Sequence, residues 1–235
     1  MTDVRVYPNP DNLAQAAAEQ FVDQVATAIA AREWFIVALA GGSTPRPMYE
    51  RLAAEPLASR VDWTHVQVFW SDERCVPADH PDSNYRMARQ ALLDHVPIPE
   101  ANVHRIRGEM VPDWAASSYE SELEGVLGLN GRFDLILLGM GADGHTASLF
   151  PGTRVLEEQE YAVDAVHLGG GRGWRVTLTL PVINAARCVM FLVAGAEKAE
   201  ALARIRAGEM LPAARIQPHA GELIWLVDRD ALPEA

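Results

Sequence analysis

The chain has 235 residues, 49% hydrophobic and 22% charged, which is enough apolar material for one substantial core and excludes wholesale disorder. Its formal net charge is -12 and its 20 Lys and Arg residues gather into no basic stripe, so nucleic acid is not an expected partner. The two cysteines, Cys75 and Cys188, suggest neither a disulfide framework nor a zinc site. No segment approaches the roughly 18 uncharged apolar residues that span a bilayer, and a single cytoplasmic domain over residues 1–235 is expected.

After a short extended start, Asp11 or Asn12 is expected to cap a helix, because Leu13, Ala17, Phe21, Val25 and Ile29 recur at spacing four with Val22 beside them. The run WFIVALA (Trp34 to Ala40) reads as a strand ending at Gly41-Gly42, and Thr44, ahead of a proline, as the start of a helix. HVQVFW (His65 to Trp70) predicts a strand, SDERCVPADHPD a loop, and SNYRMARQALLDHV a helix capped by Ser83. A longer helix is predicted from about Pro112 to Leu127, followed by a strand from Phe133 to Leu138. HTASLF, stopped by Pro151, leaves room for at most about two helical turns. Asp164 lies in a possible strand, YAVDAV, and the glycine-rich HLGGGRGW reads as a mobile loop. Strands are predicted at Trp174–Leu180, Arg187–Gly195 and Glu222–Asp228, with a helix from Glu197 to about Ala207 between the last two.

Near-continuous apolar strands alternating with helices predict an α/β fold, an open and mostly parallel sheet with helices on both faces. Ligands in such folds sit beyond the carboxyl ends of the strands, which is where the glycine loops and most of the notable polar residues fall.

Gly139, Gly141 and Gly144 have the spacing of a dinucleotide-binding turn. The helix that can follow them is too short, and no acidic residue ends a second strand at the required distance, so a nicotinamide cofactor is not expected. The same loop carries Asp143 and His145. Alone, an Asp-Gly-His would be a cap and a packed imidazole; other loops shift that balance. AGGSTP offers backbone N–H groups and the hydroxyls of Ser43 and Thr44 to a single phosphate, without the Gly-Lys-Ser/Thr ending of a nucleotide-binding P-loop. SDERCVP places Asp72, Glu73 and Arg74 after another strand. None of Ser43, Ser71 and Ser148 sits in a Gly-x-Ser-x-Gly elbow, and no ligand spacing implies a metal.

Taken together, LAGGSTPRPMYE, VFWSDERCVPADHPDSNYRMA, LILLGMGADGHTASLFPG, RVTLTLPVINAAR and VAGAEKAEAL resemble the 6-phosphogluconolactonase family, over about Val4 to Asp228. The resemblance implies the fold shared with glucosamine-6-phosphate deaminase and ribose-5-phosphate isomerase. It also implies hydrolysis of 6-phospho-D-glucono-1,5-lactone to 6-phosphogluconate, the second step of the oxidative pentose phosphate pathway, with no cofactor and no metal. It points to His145 as general base, with Asp143 orienting the imidazole or holding a sugar hydroxyl. Gly42, Ser43, Thr44, Arg74, Arg175 and Lys198 are the implied phosphate and substrate ligands, with Asp72 beside them and Arg172 and Arg215 as further candidates. The expected partner is a sugar-phosphate lactone, bound by a monomer or small homo-oligomer. Two alternatives stay open. Deaminases of this superfamily carry a carboxylate shortly after the Gly-His pair, in a phrase like GHIAFNEPG, where this chain has Ser148, Leu149 and Phe150; that departure favours the lactonase. A non-catalytic sugar-phosphate sensor would keep the phosphate loop and dispense with His145 and Asp143.

Overall fold

A computed structural model of the protein describes residues 3–128 and 131–232. Its frame is a six-stranded, wholly parallel sheet of β1 (Asp3–Tyr7), β9 (Glu222–Asp228), β8 (Cys188–Val193), β5 (Leu135–Gly139), β2 (Phe35–Leu39) and β3 (Val66–Trp70), in that spatial order. Helices α1 (Pro10–Arg32), α2 (Arg46–Leu52), α3 (Asn84–Ala91), α4 (Pro112–Leu127), α5 (Leu180–Ala185) and α6 (Ala199–Arg206) connect and cover the strands. The expected open α/β sheet is therefore present. The central strands are buried along almost their whole length, as both-face coverage of a parallel sheet demands.

Several local expectations are corrected. Helix α1 is capped by Asn9, not Asp11 or Asn12: the Asn9 side chain accepts the Asn12 N–H at 2.9 Å, and Pro10 takes the first helical position, where its missing N–H costs nothing. Thr44 caps no helix; α2 begins at Arg46 with Pro45 before it and no side-chain cap. Ser83 does cap α3, accepting the Arg86 N–H at 3.1 Å. HTASLF forms no helix, but a tight turn closed by a bridge between Thr146 and Leu149, with Ala147 at φ 47°. The strand predicted to run to Leu180 stops at Leu178, and Leu180 opens α5. The helix predicted from Glu197 begins as a 3-10 turn over Ala196–Lys198 before α6.

The largest correction concerns Asp72–Arg74. This stretch, expected as loop, is the short strand β4, paired antiparallel with β7 (Gly173–Leu178), which in turn pairs antiparallel with β6 (Val163–Leu168). The glycine-rich segment expected as a loop is the turn of the β6–β7 hairpin. This second sheet is joined to the first at Ser71, whose N–H donates to the Leu39 carbonyl at 2.9 Å while its own carbonyl accepts the Leu178 N–H at 2.8 Å.

Two tyrosines finish the strands where the chain leaves the parallel sheet. The Tyr49 hydroxyl donates to the Ala40 carbonyl and accepts the Ala40 N–H; the Tyr119 hydroxyl does the same for Trp70. Both phenols are fully buried, and burial raises each far above its ordinary value, so they remain neutral donors.

Candidate active site

From β2 the chain continues to a neighbour on one side, β3, whereas β5, β8 and β9 build outward on the other. The boundary between β2 and β5 is a topological switch point, where the loops leaving the carboxyl ends diverge and open a crevice. That crevice, about 200 Å³ in volume, is lined by Gly42, Ser43 and Thr44 after β2, Asp72 and Arg74 from β4, His145 after β5, Arg175 from β7 and Lys198 after β8. Gly42, Ser43, Thr44, Asp72, Arg74, Arg175 and Lys198 thus reach one cavity, together with His145, from the carboxyl ends of β2, β5 and β8 and from the second sheet. Arg172 and Arg215 do not line it: the Arg172 guanidinium lies 5.0 Å from the Phe150 ring centre, and Arg215 pairs with Glu157 at 2.9 Å.

Asp143 stands behind His145. Its Oδ1 lies 2.5 Å from His145 Nδ1 and accepts the His145 backbone N–H at 3.1 Å. Burial works to raise the Asp143 carboxyl, but the His145 hydrogen bonds outweigh it and hold the group below its ordinary value. An ionised Asp143 requires the proton on Nδ1, which leaves Nε2 as the basic nitrogen of the neutral ring. Phe150 fixes the ring plane, stacking on the imidazole with centroids 3.9 Å apart and planes at 19°. Gly141 is required by close approach: a Cβ there would overlap the His145 ring. Gly144, at φ 78°, adopts a backbone conformation that side chains disfavour. Gly139, by contrast, has free space around it. The glycine spacing that imitates a dinucleotide turn serves the placement of an Asp-His pair.

Arg74 and Arg175 are direct cross-strand partners in the β4–β7 pair, so their side chains share one face. Their Nε atoms are buried without a hydrogen-bond partner. Burial pulls the Arg175 guanidinium below its ordinary value; Asp72 opposes this, and Arg74 and Arg172 add to it. The nearest carboxylate oxygen, Asp72 Oδ2, is 3.8 Å from Arg175 Nη1 and is already engaged by the Ser148 hydroxyl at 2.6 Å. Two neighbouring guanidiniums in one half-buried wall repel each other, and an anion in the crevice beside them would relieve that repulsion. Lys198, its side chain 19% exposed and 3.5 Å from Glu197, adds a third positive charge. Among the described residues no three His, Cys, Asp or Glu side chains converge as a metal site.

Sequence reasoning missed Asn84, which also lines the crevice, along with Ser71 and the Ser148–Asp72 contact. The phrase SNYRMA placed Asn84 just inside a helix start; its reach toward β4 had no signal in the linear pattern.

The family described as Glucosamine-6-phosphate isomerases/6-phosphogluconolactonase matches residues 8–225 of the chain. The 6-phosphogluconolactonase of Synechocystis sp. is 46% identical over 237 residues, covering 97% of this chain and 96% of its own. That of Nostoc sp. is 42% identical with the same coverage. The solved 6-phosphogluconolactonase from Trypanosoma cruzi superimposes with a TM-score of 0.89 at 32% identity, over 98% of this chain and 96% of its own.

Proposed function

Because the chain belongs to the glucosamine-6-phosphate isomerase/6-phosphogluconolactonase family, we propose a mechanism in which its crevice hydrolyses 6-phospho-D-glucono-1,5-lactone to 6-phospho-D-gluconate with a water activated by His145. The observation that carries it is the Asp143–His145 pair, 2.5 Å apart, with His145 on the wall of a cavity that Arg74, Arg175 and Lys198 also line.

A δ-lactone is already an activated ester, so the protein must supply a base, a grip on the distant phosphate and a fixed geometry between them. His145 Nε2 takes a proton from water as the water oxygen bonds to C1. The tetrahedral adduct then collapses, the C1 to ring-oxygen bond breaks, and the imidazolium returns its proton to the departing alkoxide. Asp143 holds the Nδ1 proton throughout and stabilises the transient positive charge, as carboxylates do behind catalytic imidazoles. The sum is addition of one water, without a redox step or a covalent enzyme intermediate. The phosphate is assigned to the loop Gly42-Ser43-Thr44 and to Arg74, Arg175 and Lys198, with Asp72 on the crevice wall beside them. A local cluster of cations explains how a chain of net charge -12 holds an anion, since distant surface charges are screened over about 10 Å.

The residues after His145 support hydrolysis over isomerisation. Ser148 is engaged with Asp72, Leu149 is buried, and Phe150 packs its ring on His145, so no carboxylate follows the imidazole on this loop before Pro151. Cytoplasmic residence belongs to the same reading; both cysteines are free thiols, and no described helix is long and apolar enough to cross a membrane. A coupled assay on freshly made 6-phosphogluconolactone, corrected for spontaneous hydrolysis and run beside glucosamine 6-phosphate, tests the activity. Turnover of the lactone is expected. Ammonia release from the amino sugar would overturn the assignment, and binding without turnover of either would make the protein a sensor.

A further inference from the structure

Strand alternation sends Asp72 and Arg74 toward the crevice and Glu73 the other way, where the residue is 3% exposed. Burial raises the Glu73 carboxyl, and four hydrogen bonds oppose that. Glu73 Oε1 accepts the N–H groups of Arg74 and Asn84, each at 2.8 Å; Oε2 accepts the Tyr85 N–H at 2.8 Å and the Ser83 hydroxyl at 2.9 Å. With Ser83 taking the Arg86 N–H, the first turn of α3 has its free donors occupied by protein groups. The start of this helix is therefore a clamp.

What the clamp holds is the Asn84 side chain. Its Nδ2 donates to the Asp72 carbonyl at 2.8 Å and to Asp72 Oδ1 at 3.1 Å, while its Oδ1 accepts from Arg74 Nη1. Only this amide orientation is chemically consistent, since a guanidinium cannot accept and a carbonyl cannot donate. Asn84 thus stands between Arg74 and the Asp72 carboxylate, bonded to both. Arg74 Nη1 also donates to the Asp82 carbonyl at 2.9 Å, so the guanidinium has two anchors; loss of the Asn84 amide removes the one that separates it from Asp72, and a guanidinium turned onto a carboxylate attracts an anion less strongly. A second contact completes the arrangement: a Cβ on Gly41 would overlap the Asn84 amide, so the phosphate loop, Asn84 and Arg74 are packed into one register.

We propose that Asn84, held by the buried carboxylate of Glu73, is a positioning residue that keeps Arg74 apart from Asp72 and available to the substrate phosphate. This rests on the reading of the crevice given above. It goes further in making anion affinity depend on a side chain and a buried acid that need not touch substrate.

The test compares Asn84→Ala, Arg74→Ala and the double variant for kcat and KM on the lactone, and for the Kd of 6-phosphogluconate by calorimetry. Asn84→Ala is expected to raise KM and Kd about tenfold, the scale of one hydrogen bond to a charged group, with kcat changed by less than about threefold. In the Arg74→Ala background the same substitution is expected to add less than about twofold, the signature of a residue acting through Arg74. An equal loss in both backgrounds, or a loss confined to kcat, overturns the assignment. If Asn84→Ala does not fold, Glu73→Gln supplies the same comparison, and a KM shift that persists without Arg74 overturns the proposal equally. Should the unaltered protein bind 6-phosphogluconate without hydrolysing the lactone, the catalytic reading fails and the Kd comparison still decides the role of Asn84. Absence of both hydrolysis and product binding overturns both.

Discussion

Removing the His145 imidazole should lower kcat by about 10²–10⁴-fold, the usual worth of a positioned general base, with little change in KM. Steady-state assays of His145→Ala, corrected for uncatalysed hydrolysis, would expose a wrong base assignment if turnover stayed normal. Asp143 makes a separate prediction in pH. Its folded value lies below the unfolded one, so the carboxylate favours the folded chain at pH values above the unfolded value of about 3.9 and loses that contribution as pH falls through the folded value. Urea midpoints of the protein and of Asp143→Asn, measured between about pH 3 and 6, should converge at the acid end and separate above it. The gap should be small, because the Asp143 side chain is 48% exposed and solvent screens the pair. Gly141→Ala should damage turnover while leaving the fold intact, since the added methyl displaces the His145 ring and the backbone conformation there is ordinary. Normal turnover in that variant would mean that the ring position is not critical. Asp143 and His145 were legible in the sequence because their loop follows an apolar strand. Phe150 was legible only as a missing acid, since its stacking on the imidazole depends on how the Thr146–Leu149 turn folds back.

At the level of elements, α1 and the parallel strands could be read from apolar spacing, because each hides one face or both from water and the pattern repeats along the chain. Strand β4 could not. It is three residues long, each of them charged, and Asp72 and Glu73 are nevertheless buried because β7 pairs with it and α3 caps onto it. Short polar strands carry no periodic signal, and β4 exists through a partner more than 100 residues further along the chain. The tyrosine contacts belong at this level too. Tyr49→Phe and Tyr119→Phe each leave a buried N–H and a buried carbonyl at a strand end without their partner, and each should cost about 1–3 kcal/mol, read from denaturant midpoints. A loss below about 0.5 kcal/mol would mean that water replaces the hydroxyl there.

Across the whole molecule, the cations assigned to the phosphate arrive from different parts of the fold: Arg74 and Arg175 from the antiparallel sheet, Lys198 from the turn after β8. Arg175→Ala and Lys198→Ala should each raise KM for the lactone by about tenfold or more and leave kcat largely intact, because the phosphate is gripped alike in the ground and transition states. A fall in kcat without a KM change would move that residue from phosphate binding to the reacting carbonyl. The apolar periodicity and the glycine loops after strands sufficed for the α/β class, and the ordered phrases, through the family they resemble, for naming His145, Asp143 and the proposed ligands as candidates, since these are local in sequence. The folded chain alone decided that Asp72–Arg74 is a strand, that Arg74 faces Arg175, and that Asn84 lies between Arg74 and Asp72. Such relations are set by pairing and burial between distant segments, which a linear pattern of residue types does not encode.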